Sequence, residues 1–408
     1  MKHCLRLTIF IALLALLPGG QNFAQELSNN FSSEHNKIII EGRLTGVENG
    51  TPISLMREEG AVGTEVAKDS VLNGRFHIEF TPEDTLLGNY SLMSFSDDFP
   101  SMALKLWARA GNSITITGSN TLLYTWLVKS DIKEQKEWSY FINANKKLWD
   151  EYQKKGILRK GFMQTAMDDK STAEKQKAAQ KSVDSLDKVS NLIEYDIQKR
   201  NLALLQRGKM TPTRLEVLNG VADQIKWNHI EEFRAPVTKI YKALNADLKN
   251  SVYGQKLAIT LYAPKIIKAG DYMYDTELVD TAGNLHHLAD FKGSYILLDF
   301  WSFGCGPCHA SIPELKEITK KLKDKLTVVS ISSDTKKIWK KATEYFKLTG
   351  NNFSDLKEDR GIYARYGIAG IPHYVLISPE GIIKSAWTGY GKGSIKIKLK
   401  ELTGLTVD

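Results

Sequence analysis

The sequence predicts an α/β domain at its C-terminal end, preceded by a small β-sandwich and an α-helical region. Three observations lead there. From about Ile266 onward, β-type and α-type segments alternate. From about Lys37 to Gly118, short alternating strands lie between turn signals. From about Lys133 to Asn250, apolar residues recur at three- and four-residue steps. The 408 residues allow about two or three domains, and 42% hydrophobic with 25% charged residues is the make-up of a globular chain. Disordered, collagen-like and polytopic membrane classes are excluded on that composition.

Residues 1–24 read as an export signal. Lys2 and Arg6 stand without an acid before an apolar run from Leu7 to Leu17, and Pro18-Gly19-Gly20 and Asn22-Phe23-Ala24 follow. Basic, apolar, then small is the order of a secretory signal peptide. The run is shorter than the about 20 apolar residues that span a bilayer; a retained anchor is the alternative. Cys4 precedes the run and cannot serve as a lipoprotein cysteine after it. Cleavage near Ala24 removes Lys2, Arg6 and Cys4, lowers the formal charge from +8 to +6, and leaves Cys305 and Cys308 as the remaining cysteines. One cysteine pair in an oxidising compartment points to chemistry rather than to a disulfide-stapled scaffold.

Residues 30–125 form the expected β-rich domain. Asn73-Gly74 is a strong hairpin signal, after which Phe76, Ile78 and Phe80 alternate with Arg75, His77 and Glu79. Ile114-Thr115-Ile116-Thr117 is a second alternating strand behind Gly111-Asn112. Strands at this spacing suggest a sandwich without a catalytic cluster, and His77 falls on its solvated face.

Residues 130–255 form the expected helical region. Val183, Leu186, Val189, Ile193 and Ile197 make one apolar stripe, Lys170–Lys181 is either a loop or a solvated helix start, and Thr211-Pro212 has the form of a helix entry. The many lysines are interleaved with acids, so a solvated face is expected and no nucleic-acid partner.

Residues 266–408 carry the alternation: Tyr295–Trp301, Ser311–Lys323, Leu326–Ile331, Lys336–Leu348, Tyr374–Ser378 and Ile382–Trp387. The first is apolar on consecutive positions, as a strand buried on both faces requires. It leads into Cys305-Gly306-Pro307-Cys308. Pro307 suits a helical first turn, so a helix is expected to begin inside the motif, with Cys305 at its N-terminus. Free N–H groups and the helix dipole stabilise a thiolate there, and the thiolate is the species that attacks disulfides. Cys308, one turn deeper, is placed to resolve the mixed disulfide. Asp299, near the end of the buried strand, is costly unless it has a role or a partner. Burial raises its pKa, which suits a base for Cys308; a carboxylate bonded to backbone or water is the structural alternative. Gly370-Ile371-Pro372 precedes another apolar strand, and on the bare sequence Pro372 is an ordinary loop proline.

Leu298-Asp299-Phe300-Trp301-Ser302, Cys305-Gly306-Pro307-Cys308 and Tyr366-Gly367-Ile368-Ala369-Gly370-Ile371-Pro372 resemble, in order and spacing, the signatures of thioredoxin. The export signal, the Asp271–Gly293 lead-in and the long Thr327–Tyr366 segment make the C-terminal domain more similar to the TlpA/ResA-type periplasmic thiol-disulfide oxidoreductases. The resemblance implies a thioredoxin-like fold for 266–408 and an N-terminal extension before it. It also implies a periplasmic location, with Cys305 attacking, Cys308 resolving, Asp299 as the buried acid and Pro372 as a cis proline beside the disulfide. Trp301, Gly306, Pro307, Ile371 and Pro372 would meet the substrate. Protein disulfides would be the substrates, in apocytochrome maturation or in general disulfide reduction, and a membrane protein would supply electrons. No metal is expected, and no cofactor beyond the redox-active Cys305–Cys308 disulfide.

Three positions depart from the resemblance. Gly304 stands where thioredoxin usually has Trp, Ser311 where the TlpA/ResA type often has Glu, and His373 where Thr is common. These bear on partner choice and redox poise, not on dithiol chemistry. His309 makes the motif a literal C-x-x-C-H, so covalent c-type haem attachment is one alternative. A structural zinc site would lack a ligand. A non-catalytic binding or assembly protein led by the N-terminal domain is the other alternative. The oligomeric state cannot be read from the sequence.

Overall fold

The computed structural model describes residues 36–60 and 62–407, so the expected export signal and Cys4 lie outside the described residues. Within it the chain divides into two compact units. One holds residues up to Glu58 together with Gly63–Val221; the other holds Glu59–Val62 and Ala222 to the C-terminus.

The first unit begins with eight strands: β1 (Ile38–Leu44), β2 (Pro52–Glu59), β3 (Val62–Ser70), β4 (Arg75–Phe80), β5 (Gly88–Met93), β6 (Leu104–Ala108), β7 (Ser113–Gly118) and β8 (Leu127–Lys129). They form two four-stranded sheets, ordered β4-β1-β7-β8 and β3-β2-β5-β6. Ile40, Ile53, Leu55, Phe76, Ile78, Leu106, Ile114 and Ile116 fill one core with their alternate positions. Asn73 and Gly74 both take positive φ, and Leu72 and Arg75 exchange backbone hydrogen bonds across them. That is the two-residue turn its sequence signals, and here it passes the chain from one sheet to the other.

Four helices follow: α1 (Lys133–Ala144), α2 (Lys146–Ala166), α3 (Ala173–Leu205) and α4 (Pro212–Lys226). The Lys170–Lys181 stretch resolves into a helix start, with the Thr172 hydroxyl accepting from Lys175 N–H. Thr211 caps α4 by accepting from Arg214 N–H at 3.1 Å. The α3 stripe buries Val183 and Ile197, but Val189 is exposed. The helical stretch expected as one region over 130–255 is split instead. The dividing point falls at Val221 within α4, and α5 (Arg234–Lys242), α6 (Ala246–Asn250) and α7 (Val252–Leu261) belong to the second unit.

The remaining elements are the short hairpin β9 (Leu278–Val279) and β10 (Leu285–His286), then β11 (Tyr295–Trp301), α8 (Gly306–Lys321), β12 (Leu326–Ser332), α9 (Lys336–Tyr345), β13 (Asn351–Phe353), α10 (Ile362–Arg365), β14 (His373–Ile377), β15 (Ile383–Thr388) and α11 (Ser394–Thr403). A five-stranded sheet runs β13-β12-β11-β14-β15. Strand β11 is parallel to β12 and antiparallel to β14. Because side chains alternate, Ile296, Leu298 and Phe300 enter one core with Val329, Ile331 and Val375. Leu297 enters the other with Ile318 of α8 and Leu399 of α11. Asp299 shares the phase of Leu297 and so faces α8.

Glu314 ties this second layer together. Although buried, it accepts from Tyr390 OH at 3.0 Å, from Gly393 N–H at 2.8 Å and from Lys396 N–H at 2.9 Å, filling the open N-terminus of α11. Glu314→Ala is expected to strand those donors and weaken the domain by about 3 kcal/mol. Hydrogen exchange of β11 and α11 amides in the full chain checks this; unchanged protection would show that the carboxylate is dispensable.

Candidate active site

Strand β11 ends at Trp301, and after four residues the chain enters α8. Tyr363 Oη lies 2.8 Å from the carbonyls of both Trp301 and Ile331, which share its one proton, and so it fixes the ends of two neighbouring strands. The turn itself is held by Asp334, just beyond β12. Its buried carboxylate accepts from Phe303 N–H at 2.8 Å and from the Ser332 hydroxyl at 2.9 Å, while Ser302 Oγ takes Gly304 N–H at 3.2 Å. Burial pushes the Asp334 carboxyl up, against these hydrogen bonds and nearby His309. Nothing in the reading of the sequence singled out Asp334, Tyr363 or Ser330. The polar Ser332-Ser333-Asp334 tail on an apolar strand was the available signal.

Cys305 is the N-cap of α8, with Pro307 in the first turn, and its Sγ accepts from Cys308 N–H at 3.2 Å. The free N–H groups at a helix start favour negative charge on that sulfur. Cys305 and Cys308 are bonded in a disulfide. Of the two, Cys305 is 9% exposed and Cys308 2%, so the sulfur at the helix terminus is also the more accessible. Ser311, the departure noted in the sequence, is buried and donates to the Cys308 carbonyl at 2.8 Å. Haem attachment would require both cysteines and the imidazole to face a planar ligand. Cys308 instead points inward, and the His309 ring packs 4.3 Å from Phe346 and 6.0 Å from Phe303.

Asp299 Oδ2 accepts from the Ser330 hydroxyl at 2.9 Å, and Oδ1 has no protein partner. Desolvation raises its pKa to about 7, and the Ser330 hydrogen bond opposes that rise. Asp299, Cys308 and Trp301 line one cavity of about 380 Å³, which reaches the surface beside Lys320 of α8 and Thr349. A carboxyl poised near neutrality beside the deeper sulfur can accept a proton from it and return it to water.

Trp301 lies beneath the disulfide rather than on the surface. It is buried with Cys305, Cys308, Trp339 and Ala342, against which Phe303 and Ile371 also pack. Gly306 and Pro307 are exposed beside Cys305. A Cβ on Gly306 would meet nothing within 4 Å, so the backbone there is open to an incoming chain. The Ile371–Pro372 peptide is cis, which corrects the ordinary-loop reading that the bare sequence favoured. Pro372 is buried between partly buried Ile371 and His373. His373 Nδ1 lies 2.7 Å from Thr388 Oγ1, and burial lowers its pKa.

Comparison with known proteins places this domain among recognisable relatives. Residues 269–386 match the AhpC/TSA family. The chain is 29% identical over 124 residues to the thioredoxin-like protein YneN of Bacillus subtilis (strain 168), covering 30% of this chain and 73% of that protein. It is 30% identical over 141 residues to the thiol-disulfide oxidoreductase ResA of Geobacillus thermodenitrificans (strain NG80-2), covering 33% and 79%. Among solved structures, the thioredoxin domain of a thiol-disulfide oxidoreductase from Bacteroides vulgatus shares 31% identity, with 34% of this chain and 99% of that one covered and a TM-score of 0.31.

Proposed function

As a member of the ResA-type thiol-disulfide oxidoreductases, the chain carries out dithiol–disulfide exchange, and we propose that it reduces disulfides of exported polypeptides in the periplasm. The Cys305 thiolate attacks a substrate disulfide and one substrate sulfur leaves as a thiolate. Cys308 then passes its proton to Asp299 and attacks Cys305 Sγ, releasing the second substrate sulfur. The substrate gains two electrons and two protons, and the Cys305–Cys308 pair ends as the disulfide. A membrane donor restores the dithiol, which an oxidising compartment requires of any reductase.

The observation that carries this reading is Asp299: a buried carboxyl held at about 7, with one oxygen free, lining the cavity that also reaches Cys308. It serves the step in which the deeper thiol ionises, and returns the proton in the reverse step, so it supports the exchange itself while the direction rests on the dipeptide between the cysteines. The Gly306-Pro307 dipeptide, which resembles thioredoxin's, is in keeping, since thioredoxin sits at about −270 mV, well below the about −120 mV of the oxidant DsbA. No helix among the described residues is long and apolar enough to cross a membrane; the export signal supports the location.

A redox titration of the Cys305–Cys308 pair, run beside insulin reduction, tests the direction. The expected result is a potential within about 50 mV of thioredoxin's, with steady insulin turnover. A potential close to DsbA's without insulin turnover would reverse the assignment.

A further inference from the structure

Around the disulfide the surface is aromatic on one flank. Phe303 lies 6.0 Å from His309, 6.0 Å from Tyr345 and 5.8 Å from Phe346, and Phe346 lies 4.3 Å from His309 and 4.9 Å from Tyr345. Four rings thus form one continuous ledge. Phe303 and Phe346 pack on the buried group that contains Cys305 and Cys308, and Tyr345 at the outer end is 72% exposed. The ledge is held in place. Lys347 takes a positive φ of 49° where α9 ends, and Lys316 Nζ donates to the carbonyls of Phe346 and Lys347 at 3.1 and 3.3 Å.

We propose that this ledge grips an apolar side chain next to the cysteine under attack, making the substrate class polypeptides whose reducible cysteine has an aromatic or large aliphatic neighbour. The idea rests on the reductase reading of the same site. The covalent step fixes the occupant: in the mixed disulfide the substrate sulfur is bonded to Cys305, and its neighbouring Cα atoms lie only about 3.8 Å further along the chain. Those neighbours must therefore lie over whatever rims Cys305. Sheet order sets the rims apart, with α9 following β12 on one side of β11, and Ile371-Pro372 leading into β14 on the other. Gly304 and Gly306 beside Cys305 bear no side chain that would keep a chain off the ledge. Three partly buried rings running out to one exposed ring, next to a reactive group, are the form of a binding surface, whereas one isolated exposed tyrosine would not be.

The test uses the reduced full chain and two disulfide-linked peptides differing only at the residue beside cysteine, Phe or Ser. Each exchange converts one peptide disulfide to two thiols and the protein dithiol to its disulfide. The wild type is expected to favour the Phe peptide by about tenfold in kcat/KM, expressed mainly in KM. In Tyr345→Ala and in Tyr345→Ala/Phe303→Ala the preference should fall toward unity, while Tyr345→Phe keeps it, with the redox potential unchanged in the two single variants at the exposed Tyr345. Reactivity toward the small disulfide 5,5′-dithiobis(2-nitrobenzoate) separates the two ideas. Normal reactivity with no Phe preference overturns the ledge alone. Lack of exchange with all three disulfides overturns the oxidoreductase reading beneath it.

Discussion

Cys305→Ser is expected to abolish disulfide exchange, and Cys308→Ser to stall it halfway. The two cysteines share a motif but not an environment. Cys305 caps α8 and keeps 9% of its surface, while Cys308 is 2% exposed and sits at the third position of the helix. Removing the first takes away the nucleophile, and the loss should exceed about a thousandfold because a serine hydroxyl at this site has no base to activate it. Removing the second leaves attack intact but removes the sulfur that frees Cys305. Substrate then stays attached through Cys305. Acid quenching of cells that express Cys308→Ser, followed by non-reducing separation and mass spectrometry, should recover covalent adducts with exported polypeptides. Adducts on Cys305→Ser instead would exchange the roles of the two sulfurs, and adducts on neither variant would remove the exchange mechanism.

How much of this site was legible beforehand depended on how local its causes are. Strand β11 runs Tyr295–Trp301 as its apolar run indicated, because burial on both faces leaves an unbroken local pattern. The helix segment beginning at Ser311 starts five residues late by comparison with α8. Gly306 and Pro307 are poor residues for a helix interior, and only the first-turn reading of Pro307 located the true start. Pro372 illustrates the opposite case: neighbouring residues do not determine a cis peptide, which is settled by the surrounding fold, so the family resemblance succeeded where the bare sequence did not. Asp334 was invisible for the same reason. Its work is done on Phe303, thirty-one positions away in sequence and adjacent only because β11 and β12 run parallel and end together. In the helical stretch, the apolar stripe located α3 and Thr211-Pro212 the start of α4, but neither carried information about which unit each helix joins.

Asp299→Asn is expected to show two opposite effects, slower catalysis and a more stable fold. The asparagine keeps the shape and can still accept from Ser330, so the change removes little except the ability to ionise. Resolution of the mixed disulfide should slow by about a hundredfold near neutral pH. In the wild type its rate should rise with pH and level off above about 7, where the carboxylate has formed. In the variant the rise should continue toward the thiol's own range, about 8.5 or higher for a buried sulfur. Stability moves the other way. The carboxyl binds its proton more tightly folded than unfolded, because its pKa is raised from 3.8 to about 7. The folded state therefore holds a proton the unfolded chain has lost between those values, and stability falls as pH rises through that window. Urea unfolding of the oxidised proteins at pH 5 and pH 8 should show the gap between variant and wild type widening by about 3 kcal/mol at the higher pH. Ser330→Ala, which removes the hydrogen bond that favours the charged form, should move the rate plateau to higher pH. If the gap between Asp299→Asn and wild type is the same at both pH values, Asp299 is not titrating in this range, and the proton acceptor for Cys308 must be sought elsewhere.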